Sequence, residues 1–295
     1  MLKAETIFNY RRAYKNWFSV LYRMYRARNN RDQLNSMIKV IQRDTGQKLN
    51  IAFPLVWQYS LAKSLVNPII HNIHMNNGLL AFTYDGYYLM LDLGCGGDIF
   101  ESFFKEDYNF LNVERKDCVD IGANIGDTAI YFAIKGARRV ISLEPYPYTF
   151  ALASKNVDSL KLKNKVILLN AGYGEDKEIR IDTSFIPDNI SFVRENENGA
   201  VVPIYSLRTL VDKYNIDSGI LKMDCEGCEY NLLKETNETI AKFSMIQIEY
   251  HYGYEELVNK LKECKFDVNY TKPKKSYIKG EDRSMQVGYI YAKRP

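Results

Sequence analysis

Carboxylates stand at or near the ends of several short apolar runs: Asp120 in Val119-Asp120-Ile121, Glu144 after Val140-Ile141-Ser142-Leu143, and Asp224 after Ile220 to Met223. Open α/β sheets bind ligands beyond the carboxyl ends of their strands, so these positions are where chemistry is expected. Between Asp120 and Thr128 lie Gly122, Ala123, Asn124, Ile125, Gly126 and Asp127. Gly122 and Gly126 let a ligand approach the backbone, and the helix expected from Thr128 to Lys135 offers N–H groups at its start. About two dozen residues on, Glu144 stands where doubly wound folds place an acid for ribose hydroxyls. A dinucleotide fingerprint wants glycine where Asn124 stands, and the Asp120 carboxylate would repel a pyrophosphate. It suits the sulfonium and ammonium groups of S-adenosylmethionine.

Methyl transfer from a sulfonium is an in-line displacement whose leaving group needs no proton. A hydroxyl acceptor must be positioned and must lose its proton. Asp224, Glu226, Glu229 and His251 are the groups available at the later strand ends. Asp224 should lie nearest the sulfonium. His251 has the ordinary pKa best suited to a base at neutral pH, or is a polar loop residue between Tyr250 and Tyr252. Glu226 is either a base or a partner for the next helix start. Magnesium on Asp224, Glu226 and Glu229 is not favoured, because three acids over six residues need not converge. No metal ligands are therefore assigned, and Cys225-x-x-Cys228 lacks the second ligand pair that zinc would want.

The runs Asp120 to Thr128, Leu143-Glu144-Pro145, Asn170-Ala171-Gly172 and Leu221-Lys222-Met223-Asp224-Cys225-Glu226-Gly227-Cys228-Glu229-Tyr230 together resemble the FkbM family of S-adenosylmethionine-dependent methyltransferases. The resemblance spans about Gly94 to Tyr252, and the Lys-x-Asp-x-Glu-Gly-x-Glu-Tyr run is its most specific part. It implies a Rossmann-like class I fold: a mostly parallel seven-stranded sheet with a C-terminal antiparallel hairpin. It also implies that Asp120, Gly122, Ala123, Asn124, Gly126, Asp127 and Thr128 border the cofactor, with Glu144 at the ribose. Asn170 and Ala171 would lie at the adenine, although Asn170 also reads as a strand-end turn residue. The implied activity is O-methylation of a sugar hydroxyl, on a glycan or a glycosylated small molecule, with S-adenosylhomocysteine as product. Alternatives are a protein or lipid acceptor, or a non-catalytic scaffold of a surface-glycan assembly that keeps the cofactor fold.

The 295 residues carry a net charge of +4, unevenly placed. Eight Lys and Arg against Glu5 alone leave residues 1–31 at +7, so the remainder stands at −3. An acidic body, with no Asn/Asp-Pro-Pro-aromatic motif, argues against a nucleic-acid substrate. The five cysteines do not make a disulfide framework, and no apolar run is long enough for a membrane span, so a cytoplasmic protein is expected.

Near the N-terminus, Ile7, Tyr10, Tyr14, Trp17, Leu21 and Met24 are expected to share one face of a basic amphipathic helix of about 25 residues. That helix would pack on the body, or would meet an anionic partner or a membrane surface from its periphery. Helices are expected over Asp32 to Arg43 and Pro54 to Val66, making residues 1–75 a helical extension. Asp85-Gly86 between apolar runs predicts a hairpin within residues 76–118. Because Leu91 to Leu93 follow that hairpin, Gly94 to Gly97 read as a turn rather than a second cofactor loop, with a helix over Asp98 to Tyr108. Residues 119–295 alternate strand and helix as a methyltransferase domain, with a strand pair or flap between Glu178 and Tyr205.

Overall fold

The computed structural model describes residues 4–28, 37–65, 68–94, 99–185, 193–277 and 284–295. The chain divides into two compact units, with the break between Phe104 and Lys105.

The first unit mixes helix and sheet: α1 (Ala4–Ala13), α2 (Trp17–Arg28), β1 (Met37–Ile41), β2 (Lys48–Ala52), α3 (Phe53–Ala62), β3 (Ile70–Asn76), β4 (Leu79–Tyr84) and β5 (Tyr87–Leu91). The long first helix expected from the apolar stripe is broken in two. Residues 14–16 leave the helix to meet the edge of β1: Lys15 N donates to the Ile41 carbonyl at 2.8 Å, and Asn16 Oδ1 accepts from Ile41 N at 2.8 Å. The stripe itself is correct, since Tyr10, Tyr14, Leu21 and Met24 are buried. The expected helix over Asp32 to Arg43 is corrected: residues 29–36 lie outside the described residues, and Met37–Ile41 is a strand paired antiparallel with β2. Ile38 and Val40 point inward with a period of two, and their β-branched side chains suit that pleated surface. Fully buried Gln42 ties these pieces together, accepting from Met75 N and donating to the Met75 carbonyl, each at 3.0 Å.

The Asp85-Gly86 hairpin forms as expected, with β3 as an unforeseen third strand beside β4. The helix expected over Asp98 to Tyr108 reduces to one π-helical turn, Phe100–Phe104. Of the Gly94 to Gly97 turn, residues 95–97 lie outside the described residues, as do residues 186–192 of the flap and residues 278–283.

The second unit is the α/β body. Its elements are β6 (Asp117–Ile121), α4 (Asp127–Ile134), β7 (Arg139–Leu143), α5 (Pro147–Ser159), β8 (Val166–Leu169), β9 (Gly172–Tyr173), β10 (Lys177–Ile181), β11 (Ala200–Tyr205), α6 (Leu207–Tyr214), β12 (Gly219–Met223), α7 (Asn237–Ile240), β13 (Phe243–Tyr250), α8 (Glu255–Glu263), β14 (Asp267–Tyr270), β15 (Lys274–Tyr277) and β16 (Ser284–Lys293). The main sheet runs β14-β16-β13-β12-β6-β7-β8, with β15 added alongside β16. Strands β8, β7, β6, β12 and β13 are mutually parallel, and β16 enters antiparallel between β13 and β14. Strands β6 and β12 are buried on both faces, which their near-continuous apolar character requires. Strand order reverses between β6 and β12, and such a switch point opens a crevice at the strands' carboxyl ends. The stretch after β8 supplies a separate small sheet, β10-β11-β9. Ser206 caps α6 as expected, accepting from Thr209 N.

Candidate active site

A row of polar side chains crosses the apolar sheet just before its carboxyl edge. Ser142, Asp120, Lys222 and Gln247 occupy paired positions on β7, β6, β12 and β13. In-register residues on parallel neighbours share a face, so these side chains meet. Ser142 Oγ donates to Asp120 Oδ2 at 3.0 Å, and Lys222 Nζ lies 3.2 Å from Asp120 Oδ1. Lys222 also donates to the Gly122 carbonyl at 2.8 Å. Burial works against the ammonium charge, but Asp120, Asp224 and Asp127 outweigh it and push its pKa up. Gln247 donates from Nε2 to the Asp107 carbonyl. The partner of Asp120 is thus a protein cation.

The turn after β6 is built on left-handed residues. Gly122 and Gly126 both have φ +84°, and Asn124 has φ 44°. The close approach that requires Gly122 is made by the chain itself, since a Cβ there would lie 1.7 Å from the Asp224 carbonyl oxygen. Gly126 similarly lies against Ala153 of α5, where a Cβ would come within 3.3 Å. Ala123, Asp127 and Thr128 are buried around this turn. Glu144 ends β7 and reaches back to it: Oε2 accepts from Asn124 N and Oε1 from Tyr146 N, each at 3.0 Å. Burial outweighs those two hydrogen bonds and raises its pKa to about 7. Asn170 donates to the Glu144 and Pro145 carbonyls at 2.9 Å each, fixing the turn after β7, and Ala171 is buried beside it.

On the other side of the switch point, the loop after β12 folds over the end of β13. Glu226 and Gly227 are left-handed, with φ 55° and 111°, and lead into a 3-10 turn over Cys228–Lys234. Glu229, fully buried, accepts from His251 N at 3.1 Å and lies 2.9 Å from His251 Nδ1, while its second oxygen accepts from Gly227 N. Glu226 Oε2 stands 3.3 Å from His251 Nε2. Burial opposes a charge on this imidazole, but the hydrogen bonds to Glu226 and Glu229 dominate and raise its pKa to about 11. His251 is therefore an imidazolium at neutral pH, with no lone pair to take a proton. Cys225 and Cys228 form a disulfide within the loop, a pairing that the cysteine count alone did not anticipate.

The three acids weighed for a cation do not gather. Glu229 is spent on His251 and Gly227, and among the described residues it is Asp224, Glu249 and His251 whose ligand atoms come within 4.8 Å of one another. Lys222 and Glu249 join this group of side chains without having been singled out from the sequence. The sequence signal for Lys222 is that it is the lone polar side chain of β12.

This strand order, with a glycine turn and a strand-end acid at the switch point, defines a class I S-adenosylmethionine-dependent methyltransferase fold. The family model described as the methyltransferase FkbM domain matches residues 120–268, and the chain belongs to that family. The chain is 27% identical over 157 residues to hexuronic acid methyltransferase AglP of Haloferax volcanii, covering 52% of this chain and 64% of that one. It therefore spans less than two thirds of that relative's length. Among solved structures, M. jannaschii TYW2 in complex with AdoMet is similar at 17% identity with a TM-score of 0.40, over 77% of this chain and 93% of that one. An rRNA methylase from Streptococcus thermophilus is similar at 10% identity with a TM-score of 0.39, over 65% and 96%. Among the described residues, no helix is long and apolar enough to cross a membrane.

Proposed function

We propose that the chain is an S-adenosylmethionine-dependent O-methyltransferase whose acceptor is a sugar hydroxyl, on a glycan or a glycosylated small molecule. The observation that carries this reading is the group of acids at the ends of β12 and β13 beside an exposed aromatic ring. Asp224 and Glu249 lie partly open, and Tyr252, 40% exposed, stands against Gly227, where a Cβ would come within 3.2 Å of its ring. Carboxylates that accept from hydroxyls, next to a ring on which a pyranose can stack, form a carbohydrate-binding pattern. The name of the Haloferax volcanii relative, a hexuronic acid methyltransferase, supports a sugar acceptor.

The residues present fit the cofactor. The left-handed turn through Gly122, Asn124 and Gly126 lies at the switch point, and each Glu144 oxygen keeps a lone pair beyond the backbone N–H that it accepts. Bound S-adenosylmethionine supplies an electrophilic methyl group. Gly122, Ala123, Asn124, Gly126, Asp127 and Thr128 would border it, Glu144 would hold its ribose hydroxyls, and Asn170 and Ala171 would shape the adenine end. Asp120 contributes by holding the turn through Lys222. Asp224 takes the acceptor's proton, since His251 is already charged. Glu226 and His251 act as a pair that fixes the loop around the acceptor.

The test is calorimetric titration of the full chain with S-adenosylhomocysteine, followed by transfer of labelled methyl to a panel of nucleotide sugars and oligosaccharides. Micromolar binding and a labelled sugar whose methyl survives mild alkali support the reading. An alkali-labile product would place the methyl on a carboxylate instead. A folded chain that fails to bind S-adenosylhomocysteine overturns the enzymatic reading in favour of a scaffold.

A further inference from the structure

The buried stripe of α1 and α2 leaves an opposite face that the core of the first unit does not use. Val20, Leu21 and Met24 point inward, and yet Phe18 is 71% exposed, Tyr22 57% and Tyr25 56%. Their spacing of four and three residues places these rings in one line along α2. Arg23 and Arg26 are exposed beside that line, and on α1 Phe8 is 56% exposed with the Arg12 guanidinium 5.5 Å from its ring centre. Residues 1–31 carry +7 in a chain whose remainder is acidic, so the segment that bears the exposed rings is also the basic segment of the sequence. Rings this exposed cost solubility.

We propose that this face of α1 and α2 docks in the interface of an anionic lipid bilayer, lying along the surface. Phe18 would enter the acyl boundary, while Tyr22 and Tyr25 offer an apolar body with a hydroxyl for the headgroup layer. Arg12, Arg23 and Arg26 would meet lipid phosphates, and a polybasic segment gains affinity with each such residue. Charge selects this occupant over a second copy of the chain. A two-fold contact through this patch would set Arg23 and Arg26 against their own equivalents, whereas an anionic surface neutralises them.

The experiment is co-sedimentation of the full chain with vesicles of phosphatidylcholine alone and of phosphatidylcholine containing phosphatidylglycerol. The expected result is binding to the anionic vesicles more than about tenfold tighter than to the neutral ones, weakening as salt rises. Phe18→Ala/Tyr22→Ala/Tyr25→Ala and, separately, Arg23→Glu/Arg26→Glu should each lower that binding by more than about tenfold with the circular dichroism spectrum unchanged. The proposal is overturned if wild type ignores the anionic vesicles or if both variants bind as wild type does. It is also overturned if light scattering shows a dimer that the aromatic variant dissolves, which would assign the face to a second copy.

Discussion

Lys222 and Asp120 form an ion pair at 3.2 Å in the middle of the main sheet, with side chains 2% and 0% exposed. Neither is at the surface of the crevice, and yet between them they touch both strands of the switch point and the carbonyl of Gly122.

Breaking that pair from one side should be costly. Lys222→Met leaves a buried carboxylate without its cation and should destabilise the fold by about 3–5 kcal/mol, read by urea unfolding. Lys222→Met/Asp120→Asn removes both charges and should recover most of the loss. If the single variant unfolds like wild type, the pair does not support the turn.

The imidazolium reading of His251 makes a pH-dependent prediction with a definite sign. A folded-state pKa raised to about 11 means that the stabilisation is fully present below the unfolded value near 6.5, and is lost as pH rises toward 11. The stability gap between wild type and His251→Asn should therefore shrink steadily between about pH 7 and 10. A gap that stays constant over that range would mean that His251 is neutral.

Glu144 shifts in the same direction over a lower pH window. Burial raises its pKa to about 7, so the fold gives up stability as pH rises from the ordinary carboxylate value toward 7, and the carboxylate that would accept from a ribose exists mainly above it. Affinity for S-adenosylhomocysteine should climb by up to about tenfold between pH 6 and 8, while Glu144→Gln should show a flat profile. Parallel profiles for the two proteins would remove Glu144 from the ribose.

Two glycines with nearly the same backbone angle offer a controlled comparison. Gly86 has φ +82° with nothing within 4 Å of a Cβ, whereas at Gly122, φ +84°, the Cβ would strike the Asp224 carbonyl. Gly86→Ala should cost about 1 kcal/mol from strain alone. Gly122→Ala should cost at least about 2 kcal/mol more and should weaken cofactor binding, because β12 must move. Equal costs would show that the close approach at Asp224 is unimportant.

The body of the molecule was readable because its signals agree with one another. Apolar runs alternate with helical periods, and Gly122, Gly126, Glu144 and Asp224 mark the strand ends, so the sheet and its switch point follow from local pattern. The first unit was harder because its local signals conflict. Leu34, Met37, Ile38 and Ile41 satisfy helical spacing, whereas pairing with β2 decides the outcome for Met37–Ile41. Likewise nothing in residues 14–16 foretells that they leave the helix, because their partners at Ile41 and Lys39 are remote in sequence. At the candidate site, spacing placed these residues at neighbouring strand ends but said nothing of their protonation. His251 next to Glu226 and Glu229 is a relation between β13 and the loop after β12 that only the fold supplies.

The placement of β16 separates the order of synthesis from the order of assembly. On the ribosome β14 emerges before β16, yet among the described residues it joins the sheet only through β16, which also pairs with β13 and β15. Until Ser284 to Lys293 arrive, β13 presents a bare edge and β14 has no strand to pair with. Nascent chains paused short of that segment would expose an adhesive strand, so the docking of β16 is also the step that protects β13 from its neighbours.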